Sequence, residues 1–171
     1  MGLARLLVAL TASAAFGHAS ADNFFGVVTR VWDGDTLWVR PDGDGKPVKL
    51  RLQGLDAPES CQAGGPQATA ALKSRVLGQR VQVQAKATDT YQRRVVNVSF
   101  AGEDVGAWMV SQGHAWSYGF RYHAGRYAAE EHAARAAGRG LFADPHAIEP
   151  RIFRKQHGKC PMPYPSRRSR A

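Results

Sequence analysis

The chain has 171 residues, enough for one domain with a real core and too few for two. Hydrophobic residues make up 44%, which excludes a chain that stays unfolded for want of apolar surface. A formal net charge of +9 and a pI near 10.1 favour a polyanionic partner.

Met1 to Arg5 is a short basic start, Leu6 to Phe16 is apolar, and Ala19-Ser20-Ala21 fits a small-residue cleavage pattern. This predicts a secretory signal over residues 1–21, cleaved after Ala21; a buried helix or uncleaved anchor is the alternative, but the apolar run falls short of the ~20 residues of a span. Phe25, Val27 and Val28 begin a strand that runs to Val31-Trp32 and the Asp33-Gly34 turn. Leu37 and Val39 alternate with Trp38 and Arg40, the Pro41–Gly45 stretch is a turn, and Val48, Leu50 and Leu52 alternate with Lys49 and Arg51, which completes a hairpin. Gly64-Gly65-Pro66 opens a helix with Ala68, Leu72 and Val76 on one face, and Gly78 closes it. Val81 to Ala85 and Val96 to Phe100 are further strands. A short helix follows with Val105, Trp108 and Met109 on one side, ending at Gly113, and a last helix spans about Arg126 to Ala137. From Pro161 the composition is Pro, Ser and Arg, a basic tail with no core to build.

Five short strands with a helix between the third and fourth, and two helices after the fifth, fit an α+β, mainly β fold: a Greek-key barrel of the OB type. A sandwich with packed helices gives the same pattern.

The chemistry concentrates in Asp33-Gly34-Asp35-Thr36, Arg51 and Asp56-Ala57-Pro58-Glu59. Carboxylates at this density can hold a hard divalent cation, and an arginine between them can grip phosphate oxygens, so the polyanion is most simply nucleic acid. Read singly, each acidic run is a turn. Asp42-Gly43-Asp44-Gly45 is no calcium loop of the helix–loop–helix kind, because Gln53 stands where its last acid belongs. The histidines form no His-Glu-x-x-His metal motif. Arg93 and Arg94 are strand neighbours pointing to opposite faces, so at most one enters a shared cleft. Export would bring Cys61 and Cys160 into an oxidising compartment, and one even pair there predicts a Cys61–Cys160 bridge that staples the tail to the body; two free thiols are the alternative.

Taken in order, Val31 to Thr36, Arg51-Leu52, Asp56 to Glu59, Asp89-Thr90-Tyr91-Gln92-Arg93, Gln112 to Trp116 and Gly140-Leu141-Phe142 resemble the thermonuclease, or staphylococcal-nuclease-like, family. The resemblance covers about residues 24–155, within a domain expected over 22–157 followed by a tail over 158–171. It implies that Asp35, Asp56 and the backbone carbonyl of Ala57 bind one calcium ion, with Asp33 at the edge of the shell acting through water. It implies Glu59 as general base, and Arg51 and Arg93 as the phosphate-holding arginines. Tyr118 and Tyr122 are candidates to stack on a base. Gln92 stands where the family usually has Gly, and Ala57 where some members have Thr, which puts the aim of Arg93 and any hydroxyl contact in question.

The expected protein is thus an exported monomeric nuclease, periplasmic or secreted and off the membrane once processed. It would cleave DNA and RNA with little sequence preference and leave 3′-phosphates. A non-catalytic nucleic-acid-binding OB module and a structural calcium-binding domain are the alternatives; neither accounts for acids and arginines together.

Overall fold

The computed structural model describes residues 23–43, 45–89, 93–119, 123–158 and 160–161. The N-terminal segment read as a signal, Thr90, Tyr91, Gln92, Tyr122 and most of the basic tail lie outside these described residues.

The elements run β1 (Asn23–Val31), β2 (Thr36–Pro41), β3 (Val48–Leu52), β4 (Leu55–Asp56), α1 (Gly65–Val76), β5 (Arg80–Thr88), β6 (Arg94–Phe100), β7 (Glu103–Asp104), α2 (Val105–Ser111), β8 (Trp116–Ser117), α3 (Ala128–Ala136), a 3-10 turn (Gly140–Ala143) and α4 (Pro150–His157). The main sheet has the order β3-β2-β1-β5-β6-β7, and a parallel pairing of β3 with β6 closes β1, β2, β3, β5 and β6 into a five-stranded barrel. Closure leaves these strands no long free edge.

The strand alternation read from the sequence is what fills the barrel. Val28, Leu37, Val39, Leu50, Leu52, Val81, Val83, Val96 and Val98 all point inward and are buried. Ala68, Leu72 and Val76, four residues apart on α1, lie on one helical face and plug one side of this core. Val105, Met109 and Val110 of α2 extend it. Asp104 caps α2 by accepting from the amides of Gly106 (2.8 Å) and Ala107 (3.1 Å), and it also accepts from the Tyr127 hydroxyl (3.0 Å), which pins the start of α3 to α2. Burial, then the Asp104 charge, pushes the Tyr127 phenol well above its ordinary range.

The barrel and the helix between its third and fourth strands agree with the sequence reading. The expectation of two helices after the fifth barrel strand falls short by one, α4. The physical reason is that α4 is an eight-residue run dominated by Arg151, Arg154 and Lys155, too short and too polar to stand out: only Pro150 is buried, and Ile152 is 41% exposed. Strands β4, β7 and β8 are too short to show any period.

Candidate active site

The first acidic turn joins β1 to β2. Trp32 N–H donates to the Thr36 carbonyl at 2.8 Å, which makes the turn tight, and Asp33 Oδ1 accepts from Asp35 N–H at 3.0 Å. Gly34 is required there by close approach: a Cβ at this position would lie 2.6 Å from Ala57 Cβ and 2.9 Å from Ala68 Cβ. The missing side chain is what lets the first acidic run pack against the second and against α1. The Asp35 carbonyl accepts from Leu52 N–H of β3 at 2.8 Å, so the turn is also fixed to the strand that carries Arg51.

Asp56 is placed by β4, whose residues Leu55 and Asp56 pair with Ser117 and Trp116 of β8. Glu59 follows in a turn braced by Gln62: Glu59 N–H donates to Gln62 Oε1 at 3.1 Å, and Gln62 N–H donates to the Glu59 carbonyl at 2.8 Å. The turn packs directly on the start of α1, where a Cβ on Gly65 would meet the Glu59 carbonyl oxygen at 2.0 Å.

Arg51 joins the two acidic runs. Its Nη1 donates to Asp35 Oδ1 at 2.6 Å and its Nη2 to Asp56 Oδ1 at 3.0 Å. Asp35 also accepts from Thr36 Oγ1 (2.9 Å) and from Ala57 N–H (3.3 Å). Both aspartates are buried, at 3% and 4% exposure, so their charges depend on these partners. Burial works against the charge on Arg51, but Asp35, Asp56 and Asp33 outweigh it and hold the guanidinium above its ordinary pKa. Burial, and then the neighbouring charge of Asp35, raises Asp33 to about 7.

A second arginine arrives from the other end of the chain. Arg154 of α4 donates from Nη2 to Asp56 Oδ2 at 2.9 Å, and from Nη1 to Asp56 Oδ1 at 3.2 Å and Glu59 Oε1 at 2.8 Å. Burial opposes its charge, yet hydrogen bonds and charge from Asp56 and Glu59 raise its pKa further still. Two other ties hold α4 near the Glu59 turn: Gln62 Nε2 donates to the Ile148 carbonyl at 2.6 Å, and Cys61 forms a disulfide with Cys160. Neither Arg154 nor Gln62 emerges from sequence reasoning. Each is a polar residue in a segment without periodicity, and only the folded chain brings it to Glu59.

The contacts described therefore bring together Asp33, Asp35, Arg51, Asp56, Ala57 and Glu59. Arg93 stands at the head of β6, where its Nε and Nη2 both reach Asp89 Oδ2 at 2.7 Å and its N–H donates to Asp89 Oδ1 at 2.9 Å. Tyr118 is 46% exposed and lines a small cleft of about 200 Å³ that also contains Asp56 and His123. Tyr122, the other candidate for base stacking, lies outside the described residues.

Among the described residues, no three His, Cys, Asp or Glu side chains are grouped as ligands of a metal ion. The donors that do converge, Asp35 and Asp56 across the width of one guanidinium, are hard oxygen ligands of the kind a divalent cation takes.

Acidic and guanidinium groups gathered beside a closed five-stranded barrel of the OB type make a site suited to a phosphate-bearing ligand. The sequence profile described as staphylococcal nuclease homologue matches residues 49–144. An uncharacterized endonuclease of Haemophilus influenzae is 37% identical over 129 residues, covering 75% of this chain and 72% of that protein. Protein ParB of Escherichia coli is 41% identical over 145 residues, covering 77% of this chain and 79% of its own. A micrococcal nuclease of Shigella flexneri is 35% identical over 146 residues, with 78% and 82% covered. The chain belongs to the staphylococcal nuclease family. It is a nuclease, a hydrolase whose substrates are nucleic acids, in a family that depends on a metal.

Proposed function

We propose that this nuclease is exported, depends on calcium and hydrolyses both DNA and RNA, breaking the bond to the 5′-oxygen and leaving 3′-phosphates. The observation that carries the reading is the meeting of Asp35 and Asp56 across Arg51, with Glu59 three residues beyond Asp56 in the same turn. Asp35, Asp56 and the Ala57 carbonyl would hold the cation, which when bound supplies Lewis-acid polarisation of a phosphoryl oxygen.

The chain's own residues do the rest. Glu59 is a quarter exposed, so solvent water reaches its carboxylate. There it takes a proton from the water whose oxygen bonds to phosphorus, while the bond from phosphorus to the 5′-oxygen breaks and the leaving oxygen takes up a proton from solvent. Arg51 donates toward the phosphoryl oxygens as negative charge gathers on them, and Arg93 acts with it. Contacts of this kind grip the backbone and do not read bases, hence cleavage with little sequence preference.

Export is supported by the basic, apolar and small-residue order of the first 21 residues, and by the Cys61–Cys160 disulfide, a bond that persists in oxidising compartments. The test is cleavage of single-stranded DNA and of RNA with calcium and with chelator, followed by end-group analysis. Activity confined to calcium, with 3′-phosphate ends on both products, is expected; activity in chelator, or 5′-phosphate ends, contradicts it.

A further inference from the structure

Outside the carboxylate cluster, the barrel carries a group of side chains that the chemistry above does not use. On the outer face of β1, β2 and β3, Trp32 and Trp38 lie with ring centroids 6.0 Å apart. The Arg30 guanidinium sits 4.7 Å from the Trp32 ring centre and 5.3 Å from that of Trp38. Lys49 Nζ sits 5.9 Å and 5.1 Å from the same rings. Both tryptophans are half-buried, whereas Arg30 and Lys49 are exposed.

The strand register shows how this group is assembled. Val28 pairs with Val39, but the next pairing is Arg30 with Trp38, so the ladder shifts by one residue at Thr29. Strict alternation would put Arg30 on the side of Val28, which faces the core at 1% exposure. The bulge instead turns Arg30 outward onto the tryptophan face. Across β2 and β3, Trp38 pairs with Lys49 and Thr36 with Arg51. Lys49 and Arg51 are thus two residues apart on the same strand face, separated by about 7 Å. That is within the step from one phosphate to the next in an unpaired strand.

We propose that this face is a second nucleic-acid contact, a subsite for the unpaired strand flanking the scissile phosphate. Trp32 and Trp38 take its bases by stacking, and Arg30 and Lys49 take its phosphates. The face has the composition such a subsite needs: aromatic rings, which stack on any base, and cations, which neutralise the backbone. It is also continuous with the catalytic centre through Arg51, and it lies on the strand pair that barrels of this type use for oligonucleotides. The inference rests on the reading of the centre at Arg51 as the place where DNA is cut, but its test does not require cutting.

The experiment compares wild type with the double variant Arg30→Glu, Lys49→Glu, and separately with Trp38→Leu. One arm measures binding of a twenty-nucleotide oligothymidylate by fluorescence anisotropy in EDTA at several salt concentrations. The other measures kcat and KM in calcium on a long single-stranded DNA and on a small p-nitrophenyl phosphodiester of thymidine, which is too short to reach the face. The double variant should bind the oligonucleotide at least tenfold more weakly and with a shallower salt dependence. Its KM on long DNA should rise by a similar factor, while kcat/KM on the small diester stays as in wild type. Trp38→Leu should weaken oligonucleotide binding by about tenfold with the salt slope kept. Because the exposed charges can be changed without touching the core, the double variant keeps the test open even where Trp38→Leu fails to fold. Oligonucleotide binding by wild type without cleavage of any substrate would defeat the catalytic reading and leave the face standing. Unchanged binding and unchanged KM in a folded double variant, or equal losses on the long and the small substrate, would overturn the face.

Discussion

Arg51 carries more than one duty, and they can be separated by measurement. It neutralises the buried Asp35 and Asp56, and in the proposed reaction it faces the phosphoryl oxygens. Arg51→Ala leaves two buried carboxylates short of a partner, which costs about 3 kcal/mol when a buried ion pair is broken. Urea denaturation in chelator should show that loss. In calcium the same variant should lose turnover more than substrate binding, if its hydrogen bonds strengthen as charge develops. An Arg51→Ala protein as stable as wild type in chelator would contradict the pairing described. His114 gives a second test at this scale. It packs beside Trp108, with ring centroids 5.9 Å apart, and its partial burial lowers its pKa below the ordinary 6.5. A histidine held neutral in the folded state contributes stability that is present above the unfolded-state pKa and is lost as pH falls through the folded one. Between pH 7 and pH 5 the melting temperature of wild type should therefore fall more than that of His114→Gln. Equal falls would show that His114 has no part in acid sensitivity.

Among the elements, α4 is the one whose position is least explained by packing. Few apolar groups hold it, and its seat depends on Arg154, the Gln62 contact to Ile148 and the disulfide. The bridge between Cys61 and Cys160 spans 99 residues, and loop-closure entropy gives a bond of that length a contribution of about 4–5 kcal/mol at most. Arg154→Gln, which loses charged hydrogen bonds, should cost roughly 2 kcal/mol. Since both act by seating one helix, their effects should not add: Arg154→Gln in a Cys61→Ser, Cys160→Ser background should cost clearly less than it does alone. Full additivity in denaturant titrations would show that α4 stays seated without the bridge.

This element also marks where the sequence stops being legible. The carboxylates and Arg51 could be read because they belong to short runs whose spacing is itself the signal, and the barrel because Leu37, Val39, Leu50 and Leu52 alternate strictly. The same reasoning misses Arg154, since a lone arginine among Arg151 and Lys155 looks like any solvated helix charge. It also misses the Arg30 face. Alternation counted from the buried Val28 would put Arg30 on the core side, and the bulge at Thr29, a tertiary feature, reverses it. The Cys61–Cys160 bridge, by contrast, is legible from the count alone: two cysteines in a chain read as exported have only each other to pair with, and the structure joins them across 99 residues.

At the scale of the whole molecule, the distribution of charge matters more than any single contact. The chain carries a net +9, yet its buried acids gather beside Arg51 and Arg154, so a polyanion is drawn to a cationic molecule whose centre is locally acidic. Such a field speeds encounter and is screened by salt. Raising salt from 50 to 200 mM should lift KM for single-stranded DNA several-fold with kcat little changed, and should leave kcat/KM on a small diester nearly constant. Equal salt sensitivity for both substrates would place the salt effect in the catalytic centre and not on the surface.

The central claim is that Glu59, braced by Gln62 beside Asp56, is the proton acceptor of a calcium-dependent hydrolysis. Glu59→Gln keeps the shape of the side chain and removes the base. The deciding measurement is the initial rate of single-stranded DNA cleavage by wild type and by folded Glu59→Gln, each in saturating calcium and in chelator. Wild type should cleave only with calcium, the variant should lose about 10²- to 10⁴-fold in rate, and neither should show activity in chelator. Wild-type rates in Glu59→Gln, or undiminished cleavage in chelator, would contradict the claim.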